Sequence, residues 1–392
     1  YNFNMEKVYL NRTSRLRSGH LWIFSNEIYS RLKDYSQGDL VEIYSKTKEF
    51  LGIGYINPHS LISIRLLTKK KEPINSDFFY KRIRNALKYR ERLLLDNNSF
   101  RVIYSEGDFL PGVIVDKYAD CLVIQILTFG MERLAQTIID ILDEIFSPNV
   151  IIVRNDSPTR ILEGLPMEKK IIKGKLEVLP IIREGDLFFE VDPFHGQKTG
   201  FFLDQRENRI ALGKYIKKGR GLDLFCYSGA WGLQLVKNGA YVTFVDESDF
   251  SLTMAKKNAI LNNLIDRCNF VKEDVFSFLK KEIDNRSLYD FIILDPPAFV
   301  KSRQKIKEAI RGYREINSMA MRLIKDNGII ATSSCSYHID KNIFSEMLRS
   351  SAKDSKKDIR VIEYRSQGRD HPVLLSVPET EYLKCFILEL QG

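Results

Sequence analysis

The stretch Gly221-Leu222-Asp223-Leu224-Phe225-Cys226-Tyr227-Ser228-Gly229 joins an apolar strand pattern to a helix pattern that begins at Ala230. Further strand patterns follow at Tyr241–Val245, Cys268–Val271, Phe291–Leu294 and Gly328–Ser333. Segments of helix length separate these strands: Ala230–Asn238, Ser248–Asn262, Val275–Lys281 and Lys305–Lys325. Repeated βα units predict a parallel sheet covered by helices on both faces, with ligands at the carboxyl ends of the strands.

The two last strand patterns, Ile359–Tyr364 and Tyr382–Leu388, have no helix pattern between them. They predict an antiparallel pair of strands joined by a long loop. Residues 191–392 are therefore predicted to form an α/β, Rossmann-like domain.

The N-terminal part of the chain has a different pattern. Short strand patterns at Asp39–Tyr44, Phe50–Ile56 and Leu61–Leu67 are broken by turn residues. They predict a small β domain over residues 1–73. The charged stretch Lys69-Lys70-Lys71-Glu72-Pro73 marks its boundary, because exposed charged segments with proline are typical of linkers.

Helix and strand patterns mix in the middle of the chain. Helix patterns occupy Ser76–Asn98 and Glu132–Phe146. The strand patterns are Phe100–Tyr104, Gly112–Tyr118, Cys121–Leu127 and Val150–Arg154. This order predicts a separate α+β module over residues 74–190.

Composition limits the function classes. The 392 residues include 60 Lys or Arg and 51 Asp or Glu, a net charge of +9, which favours a polyanionic partner. Residues 1–72 alone carry twelve basic and seven acidic side chains, so most of the excess lies in the first domain. The five cysteines form no Cys-x-x-Cys pair, which argues against a disulfide framework and against a zinc or other metal site. No apolar run is long enough to span a membrane. We expect a soluble cytoplasmic protein without membrane contact.

Acidic residues follow successive strands at the predicted cofactor edge. The turn after the first strand lacks the Gly-x-Gly-x-x-Gly spacing that brings backbone against a pyrophosphate, so a dinucleotide is disfavoured. Asp246 ends the second strand, where a carboxylate can accept both hydroxyls of a ribose. Asp274 follows the third strand, where it could accept from an adenine amino group. An adenosine group without a pyrophosphate indicates S-adenosylmethionine; the alternative is that these acids cap helices.

Two chemical groups follow the fourth and fifth strands. The loop Asp295-Pro296-Pro297-Ala298-Phe299 is stiffened by two prolines and can hold the polar edge of a planar ring. Such a loop is typical of enzymes that methylate exocyclic amines, but there an aromatic residue follows the prolines directly, and here Ala298 intervenes. Cys335 follows the fifth strand, and a thiolate there can add to C6 of a pyrimidine and make C5 nucleophilic.

Together these motifs resemble those of the ribosomal large subunit methyltransferase I family over nearly the whole chain. His20-Leu21-Trp22-Ile23-Phe24-Ser25-Asn26-Glu27-Ile28 looks like the start of the family's PUA domain, a small RNA-binding β barrel. The stretch from Gly196 to Arg206 (Gly-Gln-Lys-Thr-Gly-Phe-Phe-Leu-Asp-Gln-Arg) and Ser334-Cys335-Ser336 also match. One departure is Ala230-Trp231, where relatives often have glycine and phenylalanine.

The resemblance implies a class I methyltransferase domain that forms 5-methylcytosine in large-subunit (23S) rRNA through a cysteine–C6 adduct. It implies a catalytic role for Cys335, together with Asp295, Pro296 and Pro297. The expected residues at the S-adenosylmethionine site are Lys198, Gln205, Asp223, Phe225, Tyr227, Ser228, Gly229, Asp246, Glu247 and Asp274. The expected RNA-binding residues are Arg12, Arg15, Arg17 and His20.

Two other readings stay open at the level of the sequence. The first is methylation of an exocyclic amine, N2 of guanine or N6 of adenine, with Asp295-Pro296-Pro297 as the amine clamp. The second is a non-catalytic RNA-binding factor for ribosome assembly that keeps a methyltransferase fold. Large-subunit rRNA is the expected partner in either enzyme reading, and a homodimer is one arrangement that the sequence leaves open.

Overall fold

The computed structural model describes residues 5–93, 98–299 and 306–391. The chain divides into two compact units. Unit 1 comprises Tyr1–Pro180, Asp192–Phe201 and Arg369–Thr380. Unit 2 comprises Ile181–Val191, Phe202–Gly368 and Glu381–Gly392. In the part of the chain described, no helix combines the length and apolar character needed to cross a bilayer.

Unit 1 contains two five-stranded sheets. The strands of the first sheet are β1 (Glu6–Leu10), β2 (Trp22–Ile23), β3 (Leu40–Ser45), β4 (Phe50–Ile56) and β5 (Ile64–Thr68), in the order β1-β3-β4-β5-β2. The strands of the second sheet are β6 (Ser99–Tyr104), β7 (Val113–Tyr118), β8 (Cys121–Ile126), β9 (Val150–Asn155) and β10 (Glu168–Lys173), in the order β10-β9-β8-β7-β6. The helices are α1 (Ser14–Arg17), α2 (Ser76–Leu93), α3 (Phe129–Arg133), α4 (Ala135–Phe146) and α5 (Thr159–Leu162).

Unit 2 is built on a seven-stranded sheet with the order β15-β14-β13-β16-β17-β19-β18. A separate hairpin pairs β11 (Ile181–Glu184) with β12 (Leu187–Glu190). The strands of the sheet are β13 (Arg220–Leu224), β14 (Tyr241–Asp246), β15 (Cys268–Lys272), β16 (Tyr289–Leu294), β17 (Ile324–Ser334), β18 (Ile359–Arg365) and β19 (Lys384–Leu390). The helices are α6 (Arg206–Tyr215), α7 (Ala230–Lys237), α8 (Asp249–Leu261), α9 (Val275–Asp284), α10 (Ile306–Leu323) and α11 (Lys341–Ser355).

The α/β prediction for the C-terminal part is confirmed. Strands β13 to β17 are mutually parallel, and β19 pairs antiparallel with both β17 and β18. The central strand β16 is apolar and buried from Phe291 to Leu294, as expected where helices cover both faces of a parallel sheet. On one face, Tyr313 and Ile316 of α10 pack with Phe344 of α11 in the core.

Several element boundaries differ from the predictions. Helix α11 was not predicted, and α10 ends at Leu323 because β17 already begins at Ile324, four residues before the predicted strand start. The predicted helix over Glu132–Phe146 is divided into α3 and α4 at Leu134. The end of the predicted helix at residues 94–97, and Lys305 at the start of another, lie outside the described residues.

The unit boundaries differ from the predicted domain boundaries at three places. The β11–β12 hairpin belongs to unit 2, although it precedes residue 191, whereas Asp192–Phe201 and Arg369–Thr380 belong to unit 1. The first predicted domain corresponds to one five-stranded sheet of unit 1, and the central module corresponds to the other. The division into three domains stays a prediction.

A buried ion pair joins the β11–β12 hairpin to α6 within unit 2. Glu184 is fully buried and accepts two hydrogen bonds from the guanidinium group of Arg209, one of them 2.8 Å long from Nε. Arg209 is equally buried and also donates to the backbone carbonyl of Phe202. A bidentate pair of this kind satisfies both charges where water cannot reach them.

We expect Glu184→Gln to destabilise unit 2 by about 3 to 5 kcal/mol, because it removes the carboxylate charge that pairs with the buried Arg209 guanidinium. Urea unfolding followed by circular dichroism measures the change. Asp186→Asn is the matched control, since Asp186 lies in the same hairpin but is fully exposed in its ion pair with Lys237. Equal transition midpoints for the two variants would contradict the prediction.

Candidate active site

The register of the parallel strands brings the predicted site residues of unit 2 to one edge of the sheet. Leu224 of β13 pairs with Val245 of β14 and with Leu294 of β16, and Leu294 pairs with Thr332 of β17. Asp246 directly follows Val245, and Asp295 directly follows Leu294, so both acids lie one residue beyond these paired positions. Cys335 follows the end of β17 directly.

The turn between β13 and α7 contains three residues with positive φ angles. Phe225 and Tyr227 have φ angles of 62° and 46°, which is uncommon for residues with a Cβ. Gly229, with φ of 76°, precedes α7 and adopts the same region without a steric penalty. A Cβ at Gly232 would lie 2.4 Å from the Phe244 ring, so only glycine allows this approach of α7 to the sheet.

Asp223 is a buried acid with one unused oxygen. Its Oδ2 accepts from the Gly232 N–H at 2.8 Å, whereas Oδ1 is buried and has no hydrogen-bond partner among the described residues. Burial raises the pKa of Asp223 well above its usual range, the Gly232 N–H lowers it, and the Asp295 and Asp246 carboxylates raise it. A cationic ligand beside this group would favour its ionised form. The orphaned oxygen therefore fits the cationic part of S-adenosylmethionine.

Asp246 shapes the same turn. Its Oδ2 accepts from the Tyr227 N–H at 3.1 Å and its Oδ1 from the Ser248 N–H at 2.9 Å. A carboxylate oxygen can accept a second hydrogen bond, so this structural role leaves acceptor capacity for a ribose hydroxyl.

The other predicted cofactor residues have varied settings. Asp274 is exposed and caps α9 by accepting from the Ser277 N–H at 2.9 Å, as the alternative reading of this acid expected. Glu247 is exposed, and Ser228 is buried with its carbonyl bonded by Asn258. Lys198 is exposed and belongs to unit 1, whereas the rest of the set belongs to unit 2.

Two side chains hold the carboxylate of Asp295. Gln205 Nε2 donates to Oδ1 at 3.0 Å, and the indole Nε1 of Trp231 donates to Oδ2 at 2.9 Å. Gln205 is itself oriented by Asn208, whose Nδ2 donates to Oε1 at 2.7 Å. The carboxylate is thereby fixed in position just before Pro296, which is buried, while Pro297 is exposed.

Cys335 follows the end of β17 and is half-buried, as is Cys268, whereas Cys121, Cys226 and Cys385 are buried. Burial raises the pKa of Cys121, Cys268 and Cys385 to about 12, and it raises the pKa of Cys226 well above the ordinary value for a thiol. A thiol held protonated is a poor nucleophile, so these four are suited to packing.

Sequence reasoning missed three residues of this edge. Trp231 was noted only as a departure from the family pattern, yet its N–H binds Asp295. Tyr313 lies in the core and its hydroxyl is 3.3 Å from Ser336 Oγ. Lys384 is a buried lysine on β19 whose Nζ donates to the Ser336 carbonyl. The sequence did contain a signal for Lys384, because it is a single charged residue within an apolar strand pattern and could have been predicted to be buried.

The predicted RNA-binding residues lie in unit 1. Arg12 and Arg15 line a surface pocket of about 380 Å³ together with Phe24 and Leu61, and the Arg15 guanidinium lies 4.7 Å above the Phe24 ring. Arg17 is exposed in an ion pair with Glu49.

His20, the fourth of these residues, has a different setting. It is buried, its Nδ1 accepts from the Trp22 N–H at 3.0 Å, and its Nε2 lies 3.0 Å from Glu379. Because Nδ1 accepts, the proton lies on Nε2, and both ring nitrogens are engaged within the protein. Its role in RNA binding stays a prediction.

Comparisons with known proteins agree with this geometry. A family model for a PUA-like domain matches residues 8–69, and a model described as conserved hypothetical protein 95 matches residues 209–354. The chain is 37% identical over 388 residues to ribosomal RNA large subunit methyltransferase I of Shewanella denitrificans, covering 97% of this chain and 98% of the relative.

Solved structures share the fold. A protein of Streptococcus mutans described as a SAM-dependent methyltransferase superposes with a TM-score of 0.84 at 22% identity, covering 98% of this chain and all of the other. A second methyltransferase structure, in complex with SAH, gives a TM-score of 0.85 at 20% identity, covering 99% and 100%.

The fold and the edge of the sheet define an S-adenosylmethionine-dependent methyltransferase with a PUA-like N-terminal domain. The chain belongs to the ribosomal RNA large subunit methyltransferase I family.

We expect Asp246→Ala to weaken S-adenosylhomocysteine binding about tenfold to a hundredfold, because it removes an acceptor of charge-assisted hydrogen bonds and loosens the turn at Tyr227. Isothermal titration calorimetry measures the affinity. Asp249→Ala is the matched control, since Asp249 is an exposed residue of the following helix that pairs with Lys272. Unchanged affinity in Asp246→Ala would remove this residue from the cofactor site.

Proposed function

We propose that this protein methylates C5 of a cytosine in large-subunit rRNA, with Cys335 as the nucleophile. The proposal depends mainly on one observation: a half-buried thiol follows β17 at the same edge where Asp295 follows β16. The printed name of the Shewanella denitrificans relative supports large-subunit rRNA as the substrate.

The chemistry of cytosine explains the need for a thiol. C5 is a poor nucleophile until a group adds to C6, and the Cys335 thiolate would form that S–C6 bond. When bound, S-adenosylmethionine supplies an electrophilic methyl group. Asp223 and Asp246 would hold the cofactor at the β13–α7 turn, because one has an orphaned buried oxygen and the other shapes the turn.

Asp295 would orient the base. An ionised carboxylate held by Gln205 and Trp231 can accept from the exocyclic amino group of cytosine and so present C6 to the thiol. After methylation, a base, water being the simplest, removes the C5 proton. The C5–H electron pair then restores the C5=C6 bond, and the S–C6 pair returns to Cys335.

Access to the base requires an unpaired or opened RNA segment, since C6 of a stacked cytosine is shielded. The basic surface around Arg12 and Arg15 would contact phosphates and position the RNA without reading its sequence. A cytoplasmic location, where such RNA is present, belongs to this proposal.

Methylation of an exocyclic amine is the second candidate, favoured by the Asp295-Pro296-Pro297 loop alone. In that case the carboxylate and loop carbonyls would bind the reacting amine, and Cys335 would have no chemical role. Mass spectrometry of the modified nucleoside separates the two products.

Cys335→Ala is expected to abolish C5 methylation, a loss of at least about a thousandfold, because the covalent route is removed. The assay uses rRNA from cells that lack the gene, with 5-methylcytidine measured by nucleoside mass spectrometry. Wild-type protein should also form a denaturation-resistant complex with RNA that carries 5-fluorocytidine. Release of the enzyme requires loss of a proton from C5, and fluorine at C5 cannot leave in the same way, so the S–C6 bond persists.

Cys268→Ala, another half-buried thiol, is the control and should keep both activities. Retained 5-methylcytidine in Cys335→Ala would contradict the nucleophile assignment, and a methylated exocyclic amine would establish the second candidate.

Replacing Arg12 and Arg15 by alanine should weaken binding of deproteinised large-subunit rRNA and reduce the slope of log K against log salt by about 1 to 2. Filter binding across a range of salt concentrations measures both quantities. Arg349→Ala removes an exposed arginine of unit 2 and is the control. An unchanged slope in the double variant would exclude phosphate contacts at this pocket.

A further inference from the structure

Lys384 has an unusual environment for a lysine. It is only 4% exposed, and it opens β19 opposite Ser334, the last residue of β17. Its Nζ donates to the backbone carbonyls of Ser336 at 2.7 Å and Tyr382 at 2.8 Å. Lysines ordinarily extend their ammonium group to solvent, whereas this one is directed at the loop that carries Cys335.

The two carbonyls do not neutralise the charge. An ammonium group has three donors, and two of them are satisfied by these neutral acceptors. Among the described residues, no carboxylate lies within ion-pair distance of Nζ. A buried cation without a counter-ion is costly, so the fold retains this charge at the expense of stability.

The ionisable groups around Lys384 include the reactive thiol. Burial lowers the pKa of Lys384 to about 8, and ionised Cys335, Asp340 and Glu381 raise it, in that order of importance. Tyr313 also lies near, bonded to Ser336, and its own pKa is raised by burial to about 12, so it stays neutral. Among these three acidic groups, the Cys335 thiolate has the largest effect on the pKa of Lys384.

We propose that Lys384 is a positioning residue for Cys335: its ammonium group ties the Ser336 carbonyl to β19 and stabilises the adjacent thiolate. The proposal rests on the assignment of Cys335 as the nucleophile. The Lys384 ammonium group would thus be the counter-ion of the Cys335 thiolate, whereas the family resemblance identified only the cysteine.

The charge is useful at two moments of the reaction. Before attack, the thiol proton leaves to solvent and the thiolate remains beside the ammonium; its electron pair then forms the S–C6 bond while the C5=C6 π pair moves into the ring. On elimination the S–C6 pair returns to sulfur, and the same ammonium stabilises the leaving thiolate. Lys384 keeps its proton throughout.

The test is the pH dependence of Cys335 alkylation by iodoacetamide in the full-length protein, with each cysteine peptide quantified by mass spectrometry. Wild-type Cys335 should react with an apparent pKa below the usual value of about 8.5. Lys384→Met should lower its rate at pH 7 about tenfold or more, and Lys384→Arg should restore part of it, because the charge is retained.

Cys268 is the internal control, since it lies on β15 and should alkylate at the same slow rate in every variant. Thermal unfolding of each variant reports whether the fold is kept. An ordinary pKa for Cys335 in the wild-type protein overturns the proposal without any variant, and so does an unchanged profile in folded Lys384→Met.

Failure of the proposed function has a separate signature. Retained C5 methylation in Cys335→Ala would remove the nucleophile, whereas the alkylation profile would still report whether Lys384 lowers the thiol pKa. A shifted profile together with lost methylation in Lys384→Met supports both assignments.

Discussion

The chemistry of unit 2 depends on the register of its parallel strands, because the register decides which residues meet at the carboxyl ends of the strands. Pairing of Leu224 with Leu294 places β13 and β16 in register, and a Cβ at Gly221 would lie 2.3 Å from the Phe291 ring, so the two strands approach this closely only with glycine there. A shift of register would separate Asp295 from Asp223 of β13, and Asp223 would then lose a neighbour whose charge raises its pKa.

Unit 2 buries several charged side chains, and their surroundings differ in kind. Glu184 and Arg209 neutralise each other and stabilise the fold. Asp223 and Lys384 are buried, and neither forms an ion pair with another residue that the structure describes, which is costly and leaves each able to pair with a group of opposite charge. Perturbed ionisation of this kind is typical of functional sites rather than of structural cores.

Trp231 shows how a departure from the family pattern can be read physically. An indole is larger than the phenylalanine that relatives often have there, and it brings an N–H donor that reaches Asp295. Gln205 supplies the second donor from the other side of the carboxylate. The loop after β16 is therefore held by two side chains that are distant in sequence: Gln205, which directly precedes α6, and Trp231, which lies in α7.

The sequence by itself determined the order of the βα units, the small β domain and the residues at the strand ends, because hydrophobic period and turn residues are local properties. Asp246, Asp295 and Cys335 were predictable for the same reason. Contacts such as Trp231 with Asp295 and Lys384 with the Ser336 carbonyl were decided only in the tertiary structure, since they join residues 64 and 48 positions apart. Burial also depends on the whole fold: the sequence shows a lysine in β19, but only the packing of β19 against β17 removes that lysine from water and places it beside the cysteine.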